Sequence, residues 1–294
     1  KASGDRAIAI GEANDSQVED TITMGHKNTA SVGGGIAIGQ NNVANSGGNA
    51  GNTMIAIGRD NEATALDTVA IGRKTKATAN TSVALGARSE ATGSGSVAIA
   101  GNGDGYKTTS TGLGSIAIGM QSNSTGTAST AVGGVAQATS KGASALGYKA
   151  NATAESATAL GQESVASVKD GVALGSQSKA TVDKGVKGFN PAENRDNKYA
   201  GLAGTAQTST LAAVSVGDGP TATRQITGLA AGTNDTDAVN VAQLKNVGVA
   251  VTGNTGKSDF LTDGGKLNVI GTGRVSTVAA HDGAKDSKIT VGFD

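Results

Sequence analysis

Every fourteen residues, the first half of the chain repeats itself. The stretch TVAIGRKTKATANTSVALGARSEATGSG, which begins at Thr68, sets Val-Ala-Ile-Gly ending at Gly72 and then Val-Ala-Leu-Gly ending at Gly86. Aligned on the glycine, frames fall at Gly11, Gly25, Gly39, Gly58, Gly72, Gly86, Ala100, Gly119, Gly133, Gly147, Gly161 and Gly175. Two steps, 39 to 58 and 100 to 119, are nineteen residues long. Each is a unit plus five inserted residues, and insertions in repeat architectures map to loops.

Within a frame, the residue before the glycine is always apolar, from Ile10 to Leu174. Two residues earlier stand Ile or Val, with Thr130, Ser144 and Thr158 as polar exceptions, and alanine lies between the two except at Thr23. Large-small-large over consecutive residues has period two, which is a strand. A second small position follows five residues past the glycine, as at Ala30, Ala77, Ala91 and Ala152, and marks a second short strand after a turn. One such unit cannot offset the entropy of ordering its own backbone. Coils must stack to complete main-chain hydrogen bonds, and the expected fold is all-β, a parallel β-solenoid with 14-residue coils.

Composition limits the core. Aromatics make up 2 % of the 294 residues, there is no Trp, and Gly occurs 46 times. The residues that fill a thick core are scarce, so the interior is expected to be thin. The Val/Ile face is expected to point inward. Near-uniform alanine on the other face suggests a second surface packed closely against it, hence self-association along the whole length. The alternative is that alanine merely fills the narrow roll. Formal net charge is zero, which implies no bulk attraction to nucleic acid or an anionic membrane. With no cysteine, disulfides, thiolate nucleophiles and Cys-type zinc sites drop out. No apolar run reaches membrane-spanning length. Lys1 is not a natural start, so a piece of a longer chain is expected.

After Gly175 the frame lapses. Residues 185–212 carry Phe189, Tyr199 and one of two prolines, and AVSVG then restores the pattern at Gly217. In TRQITGLAAGTNDTDAVNVAQLKNV, Thr236 before Asp237 is a plausible N-cap with an acidic first turn. Ala238, Val241, Ala242 and Leu244 follow at helical spacing, a stripe expected to face copies of itself. From Val249 on, alternation in KLNVI, RVSTV and KITVGF, with turn chemistry at DGGK and HDGAKDSK, predicts a small β unit. The organisation expected is a head over 1–185, an insert with the last coil over 186–217, a neck over 218–247 and a connector over 248–294.

The repeats, the last SVG coil and the run RQITGLAAGTNDTDAVNVAQLK resemble the YadA-like head and neck of trimeric autotransporter adhesins. The resemblance implies a left-handed parallel β-roll in each of three chains around a threefold axis, with a neck narrowing toward a coiled-coil stalk. It implies display at the bacterial outer membrane through an anchor outside this chain, with matrix proteins, cell-surface receptors, other bacteria or further copies as partners. The stretch before the last coil is similar to the insert such heads carry. The unit from Val249 resembles the connectors that join necks to stalks, without the tryptophan of the commonest type.

Catalysis finds little support. His26 and His281 are the only histidines and read as exposed turn residues, far apart in sequence. GNGDGYK and GDGP fail the P-loop and dinucleotide spacings, and TNDTDAVN lacks the acidic end of a calcium loop. No cofactor and no metal is expected. Surface binding is better supported. Polar and charged residues follow the repeat glycine, and stacking would align them in rows; the candidate ligand contacts are Arg59, Arg73, Lys74, Lys76, Arg88 and Lys149. Solvated turns that keep the edges from pairing are the competing explanation. The insertions around Asn45–Asn52 and Gly103–Thr111 are expected to protrude. The reading is an adhesin fragment; the alternatives are a passive spacer and a polysaccharide-acting solenoid with carboxylates clustered across coils.

Overall fold

The computed structural model describes residues 1–47, 53–100, 105–188, 207–247, 275–281 and 287–293. Two units separate, Lys1–Gln225 and Ile226–Asp294. In the first, two strands per coil stack into two parallel sheets, of 13 and 12 strands among the described residues. One sheet runs from Ile8–Glu12 to Val214–Ser215, the other from Asp15–Ser16 to Lys179–Ala180. Each strand pairs in register with its equivalent one coil on, as in Val83↔Val97 and Ala84↔Ala98. The five-residue insertions leave this register intact, since Ile36 pairs with Ile55 and Val97 with Ile116.

The insertions occupy different turns. One lies between Val43–Ala44 and Ile55–Arg59, the other between Val97–Ile99 and Thr108–Ser110. Thr108–Ser110, expected in the second insertion, is instead strand, paired with Ser89–Ala91. Residues 48–52 and 101–104 lie outside the described residues. The frame at Gly217 does resume the stack, with Val172 paired to Val214. Phe189 and Tyr199 fall outside the described stretches.

The expected orientation of the strand faces is reversed. Ala37, Ala56, Ala70, Ala84, Ala98, Ala117, Ala131, Ala145, Ala159 and Ala173 are wholly buried. They join Ala30, Ala63, Ala91, Ala138 and Ala152 of the facing short strands in an interior about one methyl deep. The branched residues point outward, and Ile10 is 55 % and Leu174 43 % exposed. The cause is geometric. Each coil closes with so few residues that its two strands leave little room between them, and close packing selects methyl and hydroxyl groups there, with Thr23 the one larger residue at the inward long-strand position. Alanine therefore fills the roll, and the surface left for a partner is the row of Ile, Val and Leu.

The second unit holds a short helix, Val241–Lys245. Thr236 does not cap it. Asn240 does: its side chain accepts from the Gln243 backbone N–H at 2.9 Å, and the Gln243 side chain accepts from the Asn240 N–H at 3.2 Å. This reciprocal capping box outcompetes a threonine four residues upstream. Gln243 also exchanges two hydrogen bonds with the Gly232 backbone, at 3.0 and 2.9 Å, tying the preceding loop to the helix. Val275–His281 and Ser287–Phe293 pair as antiparallel strands. KLNVI and DGGK lie outside the described residues.

The reversed faces give a direct expectation. Ala84→Leu should lower unfolding free energy by at least about 1–3 kcal/mol by overpacking, read as a lower urea midpoint. A neutral effect would mean that alanine faces outward after all.

Candidate ligand-binding edge of the solenoid

The corner after each long strand is built by three positions: the frame glycine and the first two residues past it. The glycine has a positive φ, +124° at Gly58, and a Cβ there would sit 1.9 Å from the Gly72 carbonyl oxygen. Coil stacking therefore excludes a side chain at Gly58. Two residues on, the chain is again left-handed, now without glycine: φ is 58° at Asp60, 57° at Lys74, 60° at Arg88 and 55° at Lys149. Such residues are strained. The strain is offset by a hydrogen bond across coils, since the N–H of Lys74 donates to the Arg59 carbonyl at 2.8 Å and that of Arg88 to the Arg73 carbonyl at 2.9 Å. Side chains at these positions are thereby held in straight columns.

Beneath the columns runs an amide ladder that sequence reasoning passed over. Asn14, Asn28, Asn42 and Asn61, each three residues past a frame glycine, are buried. Asn42 Nδ2 donates to the Ile38 carbonyl at 3.0 Å, to the Gly58 carbonyl of the next coil at 2.8 Å and to Asn28 Oδ1 at 2.9 Å. Its own Oδ1 accepts from the Asn61 backbone and side chain, at 3.2 and 2.9 Å. Thr75 ends the amides and Ser89 follows in the same place. From Gly86 on, the turn closes on itself instead, as Ser122 N–H donates to the Gly119 carbonyl at 3.1 Å and Ala136 N–H to that of Gly133 at 3.3 Å. The long strands shorten with it, from five residues (Val69–Arg73) to three (Val83–Leu85). The signal was legible as Asn recurring in GEAN, GHKN, GQNN and GRDN.

The structure brings some of the candidate contacts together. Arg59 and Arg73 are register partners on neighbouring coils. Lys74 and Arg88 occupy the adjoining column. Arg59 Nε lies 3.7 Å from Asp60, and Lys76 Nζ is 3.1 Å from Glu62 and in register with Glu90. Lys76 therefore belongs to a mixed column on the short-strand sheet. Lys149 stands several coils away, 5.1 Å above the Tyr148 ring and 3.9 Å from Glu163. His26 ends a strand, half-buried, next to Gln40. In the second unit Val241 and Leu244 are exposed on the helix, at 67 % and 65 %, while Ala238 lies before its start. Among the described residues no group of three or more His, Cys, Asp or Glu is placed to hold a metal, and no helix is long and apolar enough to cross a membrane.

The end of the last coil is closed by two side chains. Arg224 donates to the carbonyls of Val216 and Ser176, and to Ser178 Oγ at 3.0 Å. Asp218 accepts from the Thr221 hydroxyl at 2.5 Å and from the backbone N–H groups of Ala222 and Thr221 at 2.6 and 2.9 Å. These donors hold its carboxyl at about 2, below the ordinary 3.8, with a smaller contribution from Lys179. Glu163, Gln177, Lys179, Asp218 and Thr221 line a shallow polar cleft of about 290 Å³ beside it.

Two outcomes are expected. Asn42→Ala should cost about 1–3 kcal/mol, because it strands the Ile38 and Gly58 carbonyls and the Asn61 N–H, backbone groups on its own coil and the next. Ser122→Ala, at a position where Ala136 and Ala150 already stand, should change stability by less than about 1 kcal/mol; equal losses in paired denaturation curves would refute the two-turn distinction. A carboxyl depressed in the folded state contributes stability above its unfolded value and loses it as pH falls toward the folded value. Stability should thus decline between pH of about 4 and about 2, and Asp218→Asn should flatten that part of the melting-temperature profile.

Comparison with known proteins follows the same lines. The chain matches the family described as "YadA head domain repeat (2 copies)" at residues 1–14, 55–75, 77–99 and throughout 105–178. It matches "Coiled stalk of trimeric autotransporter adhesin" over 225–265. Together the two cover more than half of the chain. It is 37 % identical over 111 residues to the autotransporter adhesin BadA of Bartonella henselae, which covers 35 % of this chain and 4 % of BadA. It is 51 % identical over 70 residues to the trimeric autotransporter adhesin AtaA of Acinetobacter sp. (strain Tol 5), covering 23 % and 2 %. The chain thus spans only a few per cent of either relative. The solved collagen-binding domain of the Yersinia adhesin YadA is 31 % identical, with 64 % of this chain and 83 % of that one covered and a TM-score of 0.41.

Proposed function

The chain belongs to the trimeric autotransporter adhesins, with a YadA-type head, and from that premise we propose that it is a segment of a homotrimeric adhesin displayed on the bacterial outer surface. It attaches the cell to extracellular matrix proteins, host cell receptors or other bacteria. Its role is binding rather than catalysis. The observation that carries this reading is the outward row of branched side chains. Ile22, Ile36, Ile55, Val69, Val83, Val97 and Ile116 remain half-exposed along one sheet, flanked by Ile71, Ile118, Leu146 and Leu160, which are more exposed still. A continuous apolar stripe on a solenoid with a methyl-deep interior needs cover, and copies of the same chain side by side supply it. The neck residues Ala238, Val241 and Leu244 pack against their counterparts in the other copies.

On this reading residues 1–185 are the head, 186–217 an insert and the last coil, 218–247 the neck, and 248–294 a connector toward the stalk. The turn edge carries the contacts through Arg59, Arg73, Lys74, Arg88 and Lys149, with Lys76 beside it on the short-strand sheet. Three chains presenting many weak contacts bind at high effective concentration. The passive spacer is the second reading, in which case adhesion lies elsewhere in the full-length protein.

Two measurements test this. Light scattering of the purified chain should give three times the monomer mass, and a stable monomer would sink the assembly. Immobilised collagen, fibronectin, laminin and cultured cells should capture the trimer; silence across that panel would favour the spacer.

A further inference from the structure

Resting on that reading, we propose that Thr130, Ser144 and Thr158 form a hydroxyl window in the face shared by the copies, and that this window accepts only a second copy of the chain aligned with it coil for coil. The repeat that lets coils stack also leaves the face with little to tell one coil from the next. In the row just before the frame glycine every residue is apolar, from Ile10 to Leu174. The insertions do not mark the face either, because they lie in turns and leave the strands in register. Two such faces could slide past each other by one coil, about 4.8 Å, and bury nearly the same side chains.

The row two residues earlier breaks this equivalence. Ile or Val fills it from Ile8 to Ile116, the three hydroxyl residues follow on consecutive coils, and Val172 and Val214 resume it. Sheet pairing sets Ile116, Thr130, Ser144, Thr158 and Val172 in one line. The three hydroxyl residues are half-exposed on it, and among the described residues none of their hydroxyls bonds within the chain. No general drift toward polar residues accounts for them. In the coil of Ser144 the four inward residues, Ala143, Ala145, Ala150 and Ala152, are all alanine and wholly buried, whereas two coils earlier Ser115, Ser122 and Ser124 are buried.

A hydroxyl both donates and accepts, so hydroxyl layers satisfy one another when like layers of several copies meet. A slide by one coil, in either direction, sets Thr130 of one copy against Ile116 of the next and Thr158 against Val172. A slide by three coils leaves no hydroxyl matched. A hydroxyl covered by apolar side chains loses its bonds to water without replacement. By the same penalty a single polar position in an apolar seam fixes the register of coiled coils. Apolar residues bound the window at both ends, so it resists sliding both ways.

The test produces two versions of the full chain together in one cell, with tags of different mass, and counts the assemblies by native mass spectrometry. Thr130→Val, Ser144→Ala and Thr158→Val together remove the window at nearly constant volume. This variant should enter trimers with the unmodified chain about tenfold or more below the share expected from random mixing. Thr130→Ser with Thr158→Ser, which keeps every hydroxyl, should mix at random. So should Val69→Ile, Val83→Ile and Val97→Ile together, which alter three residues of the same row. Melting curves show that each version folds by itself; should the window-less variant not fold, Thr130→Val alone should still be excluded about threefold. Random mixing of the window-less variant, or equal exclusion of the serine variant, would overturn the inference and leave the adhesin reading standing. An unmodified chain that stays monomeric would instead overturn the assembly on which the inference rests.

Discussion

The hydrogen bond from one coil to the next is the interaction on which every other feature rests. Strand to strand it joins Ala70, Ala84 and Ala98 in register. At the turns it also holds residues in backbone conformations they would otherwise avoid. Val135, a branched residue at φ 60°, keeps its N–H on the Met120 carbonyl at 2.8 Å, and Thr81, at φ 55°, donates to the Leu66 carbonyl at 2.7 Å. Both turns of a coil contain such a residue. A single coil would relax out of this geometry, so local conformation here is a product of stacking and not its cause.

From that ladder follows the division of labour among side chains. The interior admits alanine, serine and threonine because two short strands close on each other, and hydroxyls there can pair, as Ser110 and Ser115 do at 2.7 Å, while those of Ser82 and Ser96 have no hydrogen-bond partner. The long-strand exterior carries branched residues that the single chain leaves half-covered. The turn edge accepts almost any polar side chain, because only its backbone is structurally constrained. Variation in that column changes what the surface can bind without disturbing the fold, which is the arrangement a binding scaffold requires.

Much of this was legible in the sequence. The fourteen-residue step, the two strands per coil, the loop placement of the nineteen-residue steps and the resumption at Gly217 all follow from aligning glycines. The direction of the strand faces did not follow. Val-Ala-Ile alternation says that two faces differ in size, yet burial preference normally puts the larger residues inside, and only the width of the closed coil decides otherwise. The helix cap shows a similar limit: Thr236-Asp237 and Asn240-Val-Ala-Gln243 are both sound starts, and the return contact of the Gln243 side chain favours the second. The asparagine ladder was present as four aligned residues, but its meaning depends on knowing that the position faces inward, beneath a bare glycine.

The two turn designs differ in what fixes the residues after the frame glycine. Through Asn61 the carbonyls of the frame glycines are tied to amides of the preceding coil, and the long strands run on through the glycine to the first turn residue, as in Ile55–Arg59 and Val69–Arg73. Arg59 and Arg73 are therefore strand residues, locked in register by the sheet itself. Past Gly86 the corresponding residues, Met120 and Tyr148, sit in separately closed turns. A stack of like charges is most costly where neighbours cannot splay apart, and Arg59 over Arg73 stands where the sheet prevents splaying. The asparagine ladder thus adds a second set of cross-coil bonds beneath the side chains of the early coils, which the later coils replace with bonds inside each turn.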